Sequence, residues 1–278
     1  MKIRFAALAM IAVLAMAALP AFAAEASFDR TLTVQGRLEL DVSTGAGAIH
    51  LTSGPAGQLH IVGHIRSRWG SDASRVRDIA AHPPIEQTGN IVHVRALRAQ
   101  MSGISIDYEI QAPADTYLDA STGSGAIQDQ GVGANARLHT GSGEIRATGL
   151  QGGFSLSTGS GSISAEQAGH GDVKAETGSG SIELRNLRGA LQAETGSGSI
   201  TVSGEPTGPW LLRTGSGQVD LTTGSASFQL DASCGSGSIQ VDRQNSTESK
   251  SKHHLKAQIG SGGPTVRVQT GSGSIHIH

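Results

Sequence analysis

Aromatic side chains are scarce: phenylalanine, tryptophan and tyrosine make up 3% of the 278 residues. That scarcity excludes a globular domain built around a bulky core. Cysteine occurs once, as Cys234, so no internal disulfide holds the fold together. Cys234 stands where other repeats of the chain carry Thr and reads as a small packing residue. Positive charge is not in excess, since 21 Lys and Arg face 23 Asp and Glu. This balance gives no electrostatic footprint for nucleic acid or an anionic membrane surface. Beyond the first residues, no run is apolar enough to cross a bilayer.

Glycine is abundant, with 39 residues, about twice the usual share. Ile, Leu and Val nevertheless recur in strict positions, which a disordered chain does not show. Small residues at fixed spacing point to thin layers stacked closely.

The start of the chain carries an address. Lys2 and Arg4 precede an apolar run from Phe5 through Leu19, and Pro20 breaks it just before Ala21-Phe22-Ala23. A charged start, an apolar stretch and a small-residue exit read as a secretory signal peptide over residues 1–23. The run is about 15 residues, short of the ~20 that span a bilayer, which argues against an uncleaved anchor. No Cys follows the cleavage site to carry a lipid. Cleavage removes Lys2 and Arg4, leaving 19 basic residues against 23 acidic ones and moving the net charge from -2 to -4. The mature protein is expected in the periplasm or outside the cell, and not spanning the membrane.

A string close to T-G-S-G-S-I begins at Thr122, Thr140, Thr158, Thr177, Thr195, Thr214, Cys234 and Thr270, with a degenerate copy at Ile259. Up to Cys234 the steps are 18, 18, 19, 18, 19 and 20 residues; beyond it they are irregular. An isolated copy, Thr44-Gly45-Ala46-Gly47-Ala48-Ile49, lies far upstream. A period near 18 sustained over six steps is the mark of a solenoid.

Each period has the same internal pattern. Apolar residues sit four and two places before the Thr, as Phe154 and Leu156 do before Thr158, which describes a half-buried strand. After the Thr they fall five and seven places on, as in Ile182 and Leu184, in the opposite phase. The flip across Gly-Ser-Gly requires a bend, which glycine permits. A looser return follows, with an apolar residue ten places after the Thr at Val132, Leu150 and Leu187. Eighteen residues at ~3.3 Å give a perimeter of roughly 60 Å, one flattened coil. Coils ~4.8 Å apart would stack Ile127, Ile145, Ile163, Ile182, Ile200, Val219 and Ile239 into a buried ladder. The fold expected is all-β, a single-stranded β-solenoid, although tandem hairpins forming a β-roll use the same residues.

Residues 24–115 read as an N-terminal β capping region and 116–278 as the repeat solenoid. Strands are expected over 31–34, 38–42, 59–65, 90–96 and 104–112. A short helix over 72–80 has Ser71 or Asp72 as its cap and is stopped by Pro83-Pro84. The polar run 244–254 is expected to bulge from a coil as a loop.

One T-G-A-G-A-I copy, a variable insert with a short helix, and the strand Tyr108-Glu109-Ile110-Gln111-Ala112-Pro113 lead into the T-G-S-G repeats. This order resembles the bacterial putative-adhesin β-strand-repeat family, also called domain of unknown function 4097, related to autotransporter head-domain adhesins. The resemblance covers roughly residues 27 to 278. It implies a β-solenoid in the bacterial envelope and supplies no catalytic residues.

The residues themselves assign no chemistry. Acidic side chains are dispersed (Glu144, Glu166, Asp172, Glu183, Glu205, Asp220, Asp231, Asp242). Glu176 and Glu194 align one coil apart, with Arg213 in the next, and paired acids can do acid–base work. A solvated outer stripe explains the same alignment. The corner lacks the Asp of calcium-binding repeats, and no phosphate-loop string exists. His276 and His278 alternate on the last strand and share a face, with His253 and His254 as potential neighbours; His60 and His64 share another. Such pairs could hold zinc or copper, but exposed polar residues on a terminal strand are the commoner explanation. The Thr column shares parity with core positions, which argues against an exposed ice-binding face. The expectation is therefore no catalytic, cofactor-binding or metal residue and no cofactor. The chain reads as a non-catalytic envelope protein presenting an extended face to a protein or glycan. The alternatives are a polysaccharide-active β-helix enzyme and a purely structural or regulatory envelope component.

Overall fold

A computed structural model describes residues 24–67, 73–95, 103–243 and 245–278. The expected signal peptide, and Ser71 and Asp72 at the expected helix cap, lie outside these residues. The described chain is mostly β-strand in a β-solenoid-like architecture, and among the described residues the only helix is Ala73–Ala81.

The repeats stack as their period requires. The strand entering each corner pairs in parallel with its equivalents: Asn135–Thr140 lies between Tyr117–Thr122 and Phe154–Thr158, Thr beside Thr. The strand leaving each corner does the same, with Ile145–Leu150 between Ile127–Gln130 and Ile163–Gln167. Tandem hairpins would pair these strands antiparallel. Ile127, Ile145, Ile163, Ile182, Ile200 and Val219 are buried to 1% exposure or less and form one ladder through the core.

At both ends the order of stacking departs from the order of the chain. Thr44 lies beside Thr122, although 78 residues separate them, because Glu39–Thr44 pairs directly with Tyr117–Thr122. Ile49–Gly54 lies between Ile104–Pro113 and Ile127–Gln130. At the other end Thr265–Ser272 is inserted between the second half of Ile200–Ser216 and Phe228–Ser236. Ile275–Ile277 likewise enters between Val219–Thr222 and Ile239–Val241. The repeat at Thr270 thus sits between those at Thr214 and Cys234.

This insertion corrects three sequence expectations. Ile239 is only partly buried, because its strand is an edge paired with Ile275–Ile277 alone, and Ile275 takes the buried place beside Val219. Ile259 starts no coil, since His254–Ile259 runs antiparallel to Phe228–Ser236. The run expected to loop out instead contains the strand Asn245–Lys250, which pairs antiparallel with His254–Ile259. At the opposite end, Glu25–Thr33 and Gln58–Ser67 pair antiparallel with each other, and Gln58–Ser67 continues onto Ile104–Pro113. The first of these strands begins earlier than expected, and Ile49–Gly54 and Ile85–Thr88 were not anticipated as strands.

The Thr of the corner is buried, and in four coils its hydroxyl is bonded twice. Thr158 Oγ1 donates to the Gly143 carbonyl at 3.0 Å in the preceding coil and accepts from its own Gly161 N–H at 3.1 Å. Thr122, Thr140 and Thr177 repeat both bonds, and Thr195, Thr214 and Thr270 repeat the first. An inward Thr column cannot present an ice-binding face. Thr158→Val keeps the shape but leaves a carbonyl and an N–H without partners. It should lower stability by about 1–3 kcal/mol, while Thr158→Ser stays close to wild type in urea denaturation.

Candidate functional site

A groove of about 1390 Å³ crosses the entering strands of successive coils, from Glu39 to Arg267. Position four before each Thr makes its floor: Leu118, Ala136, Phe154, Val173, Leu191 and Trp210, all at least 95% buried. The neighbouring positions point outward and form a rim of both signs, including Asp119, Arg137, Asp172, Lys174 and Arg267. The lining comes from eight stacked strands, so the groove is roughly 34 Å long at ~4.8 Å per strand. Tyr117 stands at one end, 42% exposed. Arg37 lies 5.0 Å from its ring centroid and donates to its hydroxyl at 2.8 Å, holding the ring in place.

Three of the acids along this surface are partnered. Asp119 meets Arg137 at 3.4 Å, Asp41 pairs with Arg95, and Asp172 accepts the Ala190 N–H at 3.1 Å. Glu176 and Glu194 do fall side by side in adjacent coils, as their spacing suggested. Lys174 lies 2.8 Å from Glu176 and Arg213 3.7 Å from Glu194, which makes them part of a charged outer stripe. The Asp129 carboxyl is pushed up to about 7, and burial is the cause, opposed by the Val132 N–H it accepts. Asp129 is 1% exposed at a core position between Leu51 and Ala147, away from the groove. Burial also pushes the Tyr108 phenol far up, beside Phe28 at the head of the Ile ladder.

The model of the Toastrack DUF4097 family matches residues 87–278. The chain belongs to this family. Three solved structures are similar to this Toastrack chain over 91% of its length. A "putative adhesin" from Bacteroides fragilis NCTC 9343 shares 16% identity over 97% of that chain, with a TM-score of 0.41. A "putative adhesin" from Parabacteroides distasonis ATCC 8503 shares 10% over 97%, at 0.37. A "putative cell adhesion protein" from Clostridium sporogenes ATCC 15579 shares 14% over 99%, at 0.32. No curated protein matches.

In the Toastrack corner Ser179 is exposed between Gly178 and Gly180. Cys234 is buried in the Thr column, and its Sγ lies 3.8 Å from His253 Nδ1. His254 is turned to Asp231 at 3.0 Å, apart from His276. Burial raises the Asp231 carboxyl, but hydrogen bonds from His254 and Arg267 outweigh it and hold the group below its ordinary range. His60 faces Asp29 at 2.8 Å and His64 faces Glu109 at 3.6 Å, each on a neighbouring strand. His276 and His278 do share the outer face of their strand, at 6.4 Å between ring centroids. Asp220 and Asp242 flank them, an arrangement that strand alternation alone does not specify. A hydrogen bond from Gln240, with His278 adding to it, holds the Asp242 carboxyl below its ordinary range.

Proposed function

We propose that this Toastrack protein is an exported, non-catalytic binding module. Its mature region is a single-stranded solenoid with coils of about 18 residues behind an N-terminal cap, and its groove receives an extended ligand, a protein segment or a glycan in the envelope. The supporting observation is the groove itself, in which equivalent positions of seven strands, from Leu40 to Trp210, form one apolar floor with a charged rim. A stack of coils offers such a ligand a continuous track, and the coils need only their outward positions to vary. The partners of Asp41, Asp119 and Asp172 and the placement of Asp129 in the core leave Glu39 without a second free carboxyl in the groove, which disfavours a glycan-cleaving enzyme that needs two facing its substrate. Export rests on the pattern from Lys2 to Ala23. Among the described residues no helix is long and apolar enough to cross a membrane.

The test uses the mature chain as bait in envelope extract. Reversing Lys174 and Arg267 together to Glu should abolish capture of the partner, while Arg146→Glu, on the leaving strands, should retain it. Capture that survives the groove variant, or release of reducing ends from envelope glycans, would contradict the reading. Mass spectrometry of the native protein should show a start at Ala24 or Glu25.

A further inference from the structure

We propose that His276, His278 and Asp220, backed by Asp242, form a site for a divalent transition metal, with zinc as the fitting ion. The site clamps the inserted strand Ile275–Ile277 to its two neighbours. The proposal is independent of the groove and rests on the out-of-order stacking. Because Ile275–Ile277 enters between Val219–Thr222 and Ile239–Val241, His276 lies in register with Asp220 on one side and Gln240 on the other. Asp242 then lies beside His278, with its Oδ2 2.9 Å from Nδ1 of the ring.

The geometry fits an ion. One ligand atom from each of Asp220, His276 and His278 lies within 4.8 Å of the others. The spacing between His276 Nδ1 and Asp220 Oδ1 is 3.5 Å. Tetrahedral zinc with bonds of ~2.0–2.1 Å has ligand–ligand edges of ~3.3 Å, so small side-chain rotations close the site. Imidazole with carboxylate suits zinc or copper better than the hard ions, which take oxygen ligands alone.

Supporting groups orient the ligands. An ionised carboxylate only accepts hydrogen bonds, so the bond between His278 and Asp242 puts the ring proton on Nδ1 and leaves the Nε2 lone pair for a metal. The Gln218 amide donates to Asp220 Oδ1 at 2.8 Å, and the Gln240 amide donates to Asp242 Oδ1 at 2.9 Å. Coil architecture does not impose this set. In earlier coils the position of His276 is held by Gln128, Arg146, Ser164, Glu183 and Thr201. The patch is on the outer face, with His276 31% and His278 50% exposed, so an ion enters freely and a fourth position is open to water.

Zinc chloride titrated calorimetrically into the mature chain at neutral pH should bind at one equivalent. His276→Ala and Asp220→Asn should each weaken binding at least tenfold, and His60→Ala, on a distant strand, should leave it unchanged. Cobalt(II) should give visible bands that His276→Ala removes. Zinc should raise the melting temperature of wild type but not of His276→Ala. All substituted side chains are on the outer face, so the variants fold. No heat with excess zinc, several weak sites, or undiminished binding by His276→Ala would overturn the proposal.

Discussion

Gly180→Ala is expected to destabilise the protein by more than about 3 kcal/mol, while Gly45→Ala changes stability by less than about 1 kcal/mol. The two glycines belong to the same motif, and their surroundings differ. A Cβ at Gly180 would overlap the carbonyl oxygen of Gly161 in the preceding coil, and that obstacle is backbone. Overpacking costs about 1–3 kcal/mol where side chains can shift; here two coils would have to separate and lose ladder hydrogen bonds. At Gly45 nothing lies within 4 Å of the position a Cβ would take. Ser179 is exposed between its glycines, and Ser179→Ala should leave stability and ligand capture near wild type. Urea denaturation of the three variants checks this. Equal costs at Gly180 and Gly45 would mean that the glycines serve something other than close stacking.

The second large effect is a pH dependence set by Asp129. Its carboxyl titrates near 7 in the fold against 3.8 in the unfolded chain. Between these values the folded protein holds a proton that the unfolded chain has released. Stability therefore falls as pH rises through this window, and the loss is complete above about pH 7. Three units at about 1.4 kcal/mol each amount to on the order of 4 kcal/mol. Asp129→Asn keeps an oxygen to accept the Val132 N–H, bonded at 3.0 Å in the native protein, and removes the charge. The variant should show a flat profile between pH 4 and 8 and exceed wild type at pH 8. Asp231 and Asp242, shifted downward, act in the opposite sense and only below about pH 4. An Asn variant with the wild-type slope would place the titrating group elsewhere.

Much of this was legible from the period alone. A repeated Ile five places after a repeated Thr can be buried only if coils stack in register, and the ladder from Ile127 to Val219 does so. The order of stacking was not legible, because near-identical repeats carry no label saying which copy lies on which. The step of 36 residues from Cys234 to Thr270 was the single sign of an excursion. Ile239 was misplaced for that reason, and the partners of His276 and His278 were missed, although their shared face followed from strand alternation. Asp129 was open to inspection: it occupies the place seven after Thr122, where later coils have Ala147, Ala165 and Leu184.

Insertion of the last repeat between two earlier ones is the claim on which the core, the end of the stack and the metal site all depend. Ser272 lies in register with Ser216 on one side and Ser236 on the other, and all three are exposed. In a Cys234→Ala background, cysteine pairs at 216/272 and at 236/272 should oxidise to disulfides, since paired strands lie ~4.8 Å apart, within disulfide reach. The pair 216/236, two strands apart at roughly 9.6 Å, should stay reduced. Efficient bridging of 216 to 236, with 272 unreactive toward both, would show that the coils stack in chain order and would contradict this account.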